Sequence, residues 1–463
     1  MKVIFVKSIT RKFIRVIDEN VDVNTTITLT APAIIESGQT LTINNGGILN
    51  AGNYLTIDGG TLVIEDGGQL ILSDDASVQA TVKNSTAAST ETRTYDIQWN
   101  AISSPVDNVD VTTFVKGDKH NVYRYDVKTV YWQEYRGAHG FANLQNGRGY
   151  IYRSTESGIE FQGEVITGTV SCADYLSYAC DNDRYRGFNL IGNPFTHDIT
   201  WSNLTTKTNI SSAGFFLLGA DGNWSAQTTS GTIAPMQAFL VQAIDESPVI
   251  NISNTVGKGD DDRYGNDQIQ FTVNNSEYSD VAYAIFREGH GLNKIEHRNA
   301  NIPMLYIIND DKDYAIAEMP DNTNVINLGF KARAIGQYTL SLNAEGRYSY
   351  MHLYDKLTGS DVDMLLDDSY TFVGSPSDRN DRFVLRLNYN AANIDTESDI
   401  FAYQNGTDII ISGTGELQIF DIMGHQVSTQ RINGVETISV STQGVYILRL
   451  VGTEIKTQKI VVR

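Results

Sequence analysis

Between residues 36 and 75 polar and apolar positions alternate in short bursts, most of them closed by a glycine corner. The units are Thr40-Leu41-Thr42-Ile43-Asn44-Asn45-Gly46-Gly47, Tyr54-Leu55-Thr56-Ile57-Asp58-Gly59-Gly60, Thr61-Leu62-Val63-Ile64-Glu65-Asp66-Gly67-Gly68 and Gln69-Leu70-Ile71-Leu72-Ser73-Asp74. Apolar residues two apart fall on one face of a strand, and the Asn/Asp plus Gly-Gly corner takes positive φ. A unit so short buries no face alone. Stacked, such units form a β-solenoid whose Leu/Ile positions make one continuous core. Farther along, short alternating runs recur at 122–125, 130–132, 268–273, 281–287, 338–342 and 382–387. Helical stripes at i, i+3, i+4 are nearly absent. The pattern predicts an all-β chain: short N-terminal β-solenoid repeats, then β-sandwich modules.

Breaks in composition divide the chain. A Ser/Thr/Ala-rich stretch at 81–94, a polar acidic stretch at 257–265 and the run 390–398 read as linkers. The expected regions are a solenoid at 1–80, an aromatic-rich β module at 95–255, a β-sandwich at 266–390 and a terminal domain at 399–463. A chain of 463 residues accommodates about three cores.

The terminal region carries the most specific signal. It reads Glu416-Leu417-Gln418-Ile419-Phe420-Asp421-Ile422-Met423-Gly424, then Gly444-Val445-Tyr446-Ile447-Leu448, then Lys459-Ile460-Val461-Val462-Arg463. This order resembles the type A C-terminal sorting domain of type IX secretion cargo from Bacteroidota. The resemblance implies an immunoglobulin-like C-terminal sorting domain, transport of the folded protein across the outer membrane, and a location at the cell surface or outside the cell. It implies the outer-membrane type IX machinery as partner, and for many cargoes attachment to surface lipopolysaccharide. Asp421, Gly424, Gly444, Val445, Tyr446, Lys459, Ile460, Val461, Val462 and Arg463 are the positions matching the family pattern. Within the last strand, Ile460 and Val462 share one face while Lys459, Val461 and Arg463 share the other.

Two further resemblances accompany it. Trp99-Asn100-Ala101-Ile102-Ser103-Ser104-Pro105-Val106, Gly147-Arg148-Gly149-Tyr150, Phe161-Gln162-Gly163, Phe188 to Phe195 and Ala234-Pro235-Met236-Gln237-Ala238-Phe239 resemble a β-rich module of large Bacteroidota surface proteins. Asp355-Lys356-Leu357-Thr358-Gly359, Ser369-Tyr370-Thr371-Phe372 and Asp381-Arg382-Phe383 resemble the domain that often precedes the sorting domain. Such cargo carries a secretory signal, yet Lys2, Lys7, Arg11, Lys12 and Arg15 interrupt every apolar run near Met1. The expectation is that the chain is the tail of a longer protein.

Charge and residue chemistry narrow the function. Lys plus Arg number 35 against 55 Asp plus Glu, a formal charge of −20, which disfavours nucleic acid and anionic membrane surfaces as partners. From Val16 to Val82 there is no Lys, Arg or His to serve a polysaccharide lyase. The carboxylates Asp58, Glu65, Asp66, Asp74 and Asp75 mostly occupy corners, where Asn and Asp suit the turn. The seven histidines show no metal-protease spacing, and no nucleophile elbow, Walker loop or dinucleotide fingerprint occurs. No catalytic residues, cofactor or metal are therefore assigned. Asp260 to Asp262, Asp310, Asp311, Asp313 and Asp221-Gly222-Asn223 offer oxygen ligands for calcium, against the simpler reading as linker and turns. Tyr123, Tyr125, Tyr131, Trp132 and Tyr135 form either a glycan-stacking platform or ordinary core. Cys172 and Cys180 are the disulfide candidate in an oxidising envelope. The leading expectation is an exported, non-catalytic surface protein; the alternatives are a glycan- or host-binding adhesin, then a surface polysaccharide hydrolase.

Overall fold

The computed structural model describes residues 15–88, 99–115, 120–255, 268–297, 299–345, 348–389, 401–405, 408–440, 442–452 and 455–462. It is all-β: among the described residues the only helical turns are short 3-10 turns. Two compact units divide the chain, residues 1–390 and residues 391–463.

The first unit opens with the solenoid. Three strands make each of three turns, and successive turns pair in parallel: Arg15–Ile17 on Ala33–Glu36 on Leu55–Asp58, Val21–Val23 on Thr40–Ile43 on Thr61–Ile64, and Thr26–Thr28 on Ile48–Gly52 on Gln69–Leu72. In-register stacking puts Val23, Ile43 and Ile64 in one buried column and Leu49 above Leu70 in another. The two glycines of a corner have different tasks. Gly67 has φ +76°, which favours glycine, while a Cβ on Gly68 would collide with the Ile43 carbonyl of the turn beneath. The corner thus sets both the bend and the spacing between turns.

Residues 81–84, expected in a linker, are strand instead. Gln79–Asn84 pairs in parallel with Thr61–Ile64 and antiparallel with Ile159–Glu164. Ala80 and Val82 are buried, so a period-2 pattern was hidden inside a Ser/Thr-rich composition. A neighbouring edge is closed differently. Leu70 N–H donates to the Thr196 carbonyl (3.0 Å), Thr196 Oγ1 donates to the Leu70 carbonyl (2.7 Å) and Asn254 Nδ2 donates to the Leu72 carbonyl (2.6 Å). The aromatic-rich module is thereby the cap that a stack of repeats needs.

Inside that module the resembling motifs meet at one junction. Ser103 N–H donates to the Met236 carbonyl, Gly192 N–H to the Gly147 carbonyl and Asn193 N–H to the Gln237 carbonyl. The fully buried Asn193 side chain donates to the carbonyls of His197, Ile233 and Ala234 and accepts from Phe195 N–H. The motif is an architectural joint.

The next region is a sheet of eleven strands running from Asp361–Asp363 at one end to Ser369–Gly374 at the other. It curls until its two ends share a core: Phe372 at one end lies 4.9 Å, centroid to centroid, from Phe383 and 5.1 Å from Phe330. The three motifs of this region converge there. Arg382, fully buried, forks onto Asp355 at 3.0 and 2.8 Å, reaches Asp378 at 3.0 Å and lies 4.4 Å from the Phe372 ring centroid, while Tyr370 hydroxyl donates to Asp355. The regions named from composition share cores. One apolar cluster joins solenoid residues to Val106, Phe161 and Met236, and another joins Phe188 and Phe216 to Ile285, Leu292 and Ile316.

The second unit is built on one bent hairpin. Asp408–Asp421 pairs along its length with Gln426–Ser439, while its first half also pairs with Ala402–Asn405 and its second half with Gly444–Val451. The bend falls at Gly413 and Gly415, with φ +158° and +155°; a Cβ on Gly415 would meet the Val451 carbonyl at 2.5 Å. Folding the hairpin on itself makes a small antiparallel sandwich around Ile409, Ile411, Leu417, Ile419, Tyr446, Leu448 and Ile460.

Asp355→Ala leaves Arg382 charged and without its main partner inside the protein, at a cost of about 3–5 kcal/mol. Burial pushes the Asp355 carboxyl up, but hydrogen bonds from Arg382 and Leu357 and the Arg382 charge outweigh it and hold it below its ordinary 3.8. The contribution is therefore present above pH 3.8 and is lost as pH falls through the lower folded-state value. Chemical denaturation of wild type and variant at neutral and acidic pH checks both: the difference between them narrows in acid.

Candidate functional site

The terminal motif divides into residues that build the second unit and residues that face outward. Asp421 closes a turn: its Oδ1 accepts from Met423 N–H (2.9 Å) and His425 N–H (2.8 Å), and His425 Nδ1 lies 3.1 Å from Oδ2. These bonds, His425 N–H foremost, hold the Asp421 carboxyl below its ordinary range. Gly424 supplies φ +85° in the same turn. Tyr446 is buried, and its hydroxyl donates to the Thr442 carbonyl at 2.7 Å, fixing the approach to the strand Gly444–Val451. Ile460 and Val462 are buried as the alternation requires.

What remains outward is compact. Register places Val445 opposite Val461, Ile447 opposite Lys459, and Phe420 opposite Ile447. Val461 and Ile447 are exposed at 41% and 37%, Lys459 and Arg449 are exposed, and the Asp421 turn holds Ile422 and Met423 open to solvent at 71% and 76%. The result is an apolar face flanked by two basic side chains, on a chain whose formal charge is −20. Such a face suits a protein surface that is apolar with acidic edges. Arg463 lies outside the described residues.

Sequence reasoning missed Gln458. Its Oε1 accepts from Phe401 and Ala402 N–H, both at 2.8 Å, and its Nε2 donates to the Ala402 carbonyl, clipping the last strand to the first strand of the unit. The available signal was a glutamine at an inward position of Ile455–Val462, in phase with Ile460 and Val462.

The other candidate chemistry is dispersed. A polar cleft lies among Glu65, Gln69, Lys83, Asn84, Asp198 and Pro235. Two of its three carboxylates are engaged: Lys83 pairs with Glu65 at 2.7 Å, and Gln69 donates to Asp198 at 2.9 Å, while Asp66 also lines the cleft. Asp75 accepts from Asn53, a bond between turns of the solenoid. Of the five aromatics considered as a platform, only Tyr131 and Trp132 are exposed. As neighbours on one strand these two point to opposite faces, and Trp132 leans on Tyr125 at 5.0 Å. Asp310 and Asp311, with φ +48° and +60°, form the two-residue turn between Met304–Asn309 and Lys312–Met319. Asp221 Oδ1 accepts from Asn223 N–H in another turn. Asp260 to Asp262 lie outside the described residues. Among the described residues no cluster of His, Cys, Asp and Glu has the arrangement of a metal site, and no helix is long and apolar enough to cross a membrane.

A family model described as "Domain of unknown function (DUF8693)" matches residues 10–218, from the start of the solenoid into the aromatic-rich module. No curated protein matches the chain.

The expected disulfide is not formed: Cys172 and Cys180 are both buried free thiols. Each is committed elsewhere. Cys172 sits in an apolar cluster with its Sγ 3.7 Å from the Gly147 carbonyl, whereas Cys180 Sγ donates to the Asn182 carbonyl at 3.1 Å within its own turn. Burial pushes the Cys172 thiol up to about 12, leaving almost no thiolate at neutral pH. Protein purified without reductant should titrate two thiols per chain once unfolded, with Cys172 silent while native. No thiols on unfolding would restore the disulfide.

Proposed function

We propose that this chain is an exported, non-catalytic surface protein whose second unit is the address read by the type IX secretion machinery. The observation that carries the reading is the division of the terminal motif within a separate compact unit. Asp421, Gly424 and Tyr446 are used up in folding it, whereas Val445, Lys459 and Val461 stand on the outer face of its last two strands. A signal that must be read on a folded protein has to be displayed in this way. The partners are the outer-membrane machinery and, for an anchored product, surface lipopolysaccharide. The first unit is the passenger. In its polar cleft Glu65 is paired with Lys83 and Asp198 accepts from the Gln69 amide, which supports a structural or binding role over hydrolysis.

Two expectations test this in a type IX-competent host. Deleting residues 459–463 leaves the first unit folded but retains the protein inside the outer membrane, while residues 391–463 fused to a reporter with a secretory signal carry that reporter outside. The double variant Lys459→Glu, Val461→Asp changes only outward positions, so stability stays within about 0.5 kcal/mol of wild type while surface delivery is lost. Fractionation with denaturation curves reads both. Undiminished delivery of the truncated chain would make the second unit an ordinary structural domain.

A further inference from the structure

Three ionisable side chains meet in the dry interior of the eleven-stranded sheet. Asp280 lies on Ser279–Phe286, and Lys294 and His297 follow the short strand Leu292–Asn293. Their side chains are 1%, 2% and 1% exposed. Lys294 Nζ is 2.7 Å from Asp280 Oδ1 and 2.6 Å from Oδ2, with Val281 carbonyl at 3.3 Å. Leu305 N–H donates to Oδ2 at 2.7 Å. His297 Nε2 lies 3.1 Å from the same oxygen, at angles that leave it without a hydrogen-bond partner. A buried ion pair is a costly arrangement, because both charges are stripped of water. This one also holds an amine in contact with a carboxyl group, in a site whose backbone donor is already aimed at one carboxyl oxygen.

We propose that Lys294 and Asp280 condense into an intramolecular amide, a self-formed covalent cross-link between neighbouring segments of the sheet. The balance needs no outside reagent. One proton passes from Nζ to Oδ1, 2.7 Å away, giving neutral amine and carboxylic acid. The Nζ lone pair then attacks Cγ; charge developing on Oδ2 is stabilised by Leu305 N–H, as in an oxyanion hole, with His297 Nε2 placed 3.1 Å away to turn onto the oxygen as that charge grows. A second Nζ proton moves to Oδ1, the Cγ–Oδ1 bond breaks and water leaves. One C–N bond replaces one C–O bond. Burial lowers Lys294 toward the neutral nucleophile. Burial also pushes Asp280 up, but Lys294 and His297 outweigh it and hold the carboxyl below its ordinary range, so the required proton comes from Nζ itself. Contact distances of this kind give intramolecular reactions effective molarities on the order of 10⁵–10⁸ M, and the product removes both buried charges. His297 touches the reacting oxygen and is the catalytic group.

The test is mass spectrometry of the full chain after purification and incubation at neutral pH. The expected intact mass is below the sequence mass by one water, and trypsin yields a branched species joining residues 264–287 to 288–298, uncut after Lys294. Lys294→Met restores the full sequence mass, and His297→Ala slows cross-linking at least tenfold in a time course of freshly made protein. Wild type at full sequence mass, with cleavage after Lys294 and separate peptides, would overturn the proposal whether or not either variant folds.

Discussion

The described residues form no α-helix, so outside local turns backbone N–H and carbonyl groups must find partners on other segments, and the whole structure depends on how those partners are found. Register does most of this: the solenoid stacks turn on turn in parallel, and the eleven-stranded sheet and the terminal hairpin pair almost entirely antiparallel. Where strands end or bend, side-chain amides stand in for missing backbone. Asn193 serves three carbonyls and one N–H, Asn189 bridges Ser177 and Gly187, Asn254 holds Leu72, and Gln458 closes the second unit. These residues are buried or half-buried, where an unpaired amide would be costly.

The same accounting governs buried charge. Arg382 is tolerable in the core because Asp355, Asp378, the Val373 carbonyl and two aromatic faces meet its guanidinium. Glu318, shielded at the contact between the aromatic-rich module and the large sheet, is met by Arg287 and by the Ser212 hydroxyl. Each of these groups ties together segments far apart in sequence, so ion pairs act here as tertiary links that fix one arrangement of strands.

Most of the family-like motifs are joints. The Trp99 to Val106 and Phe188 to Phe195 segments hold a strand junction, and the Asp355, Tyr370 and Arg382 motifs meet around one buried guanidinium. Only the terminal motif leaves a coherent set of its members at the surface, which is why the functional reading rests there.

Local period and local chemistry are legible in the residues alone. Alternation over 40–72 is enough to place Leu41, Ile43, Leu62, Ile64, Leu70 and Leu72 in a solenoid core, and alternation over 459–462 to separate Lys459 and Val461 from Ile460 and Val462. Glycine corners were legible because only glycine combines positive φ with the absence of a Cβ. Long-range packing settled the rest. The strand at 79–84 exists because Thr61–Ile64 and Ile159–Glu164 offer it edges, which its Ser/Thr-rich surroundings do not reveal. Cys172 and Cys180, near in sequence, are kept as separate thiols by different surroundings. Cores that cross the expected boundaries, and the meeting of Asp280, Lys294 and His297, depend on which faces the sheets bury against one another, and a period of two gives the face of a strand without naming its partner.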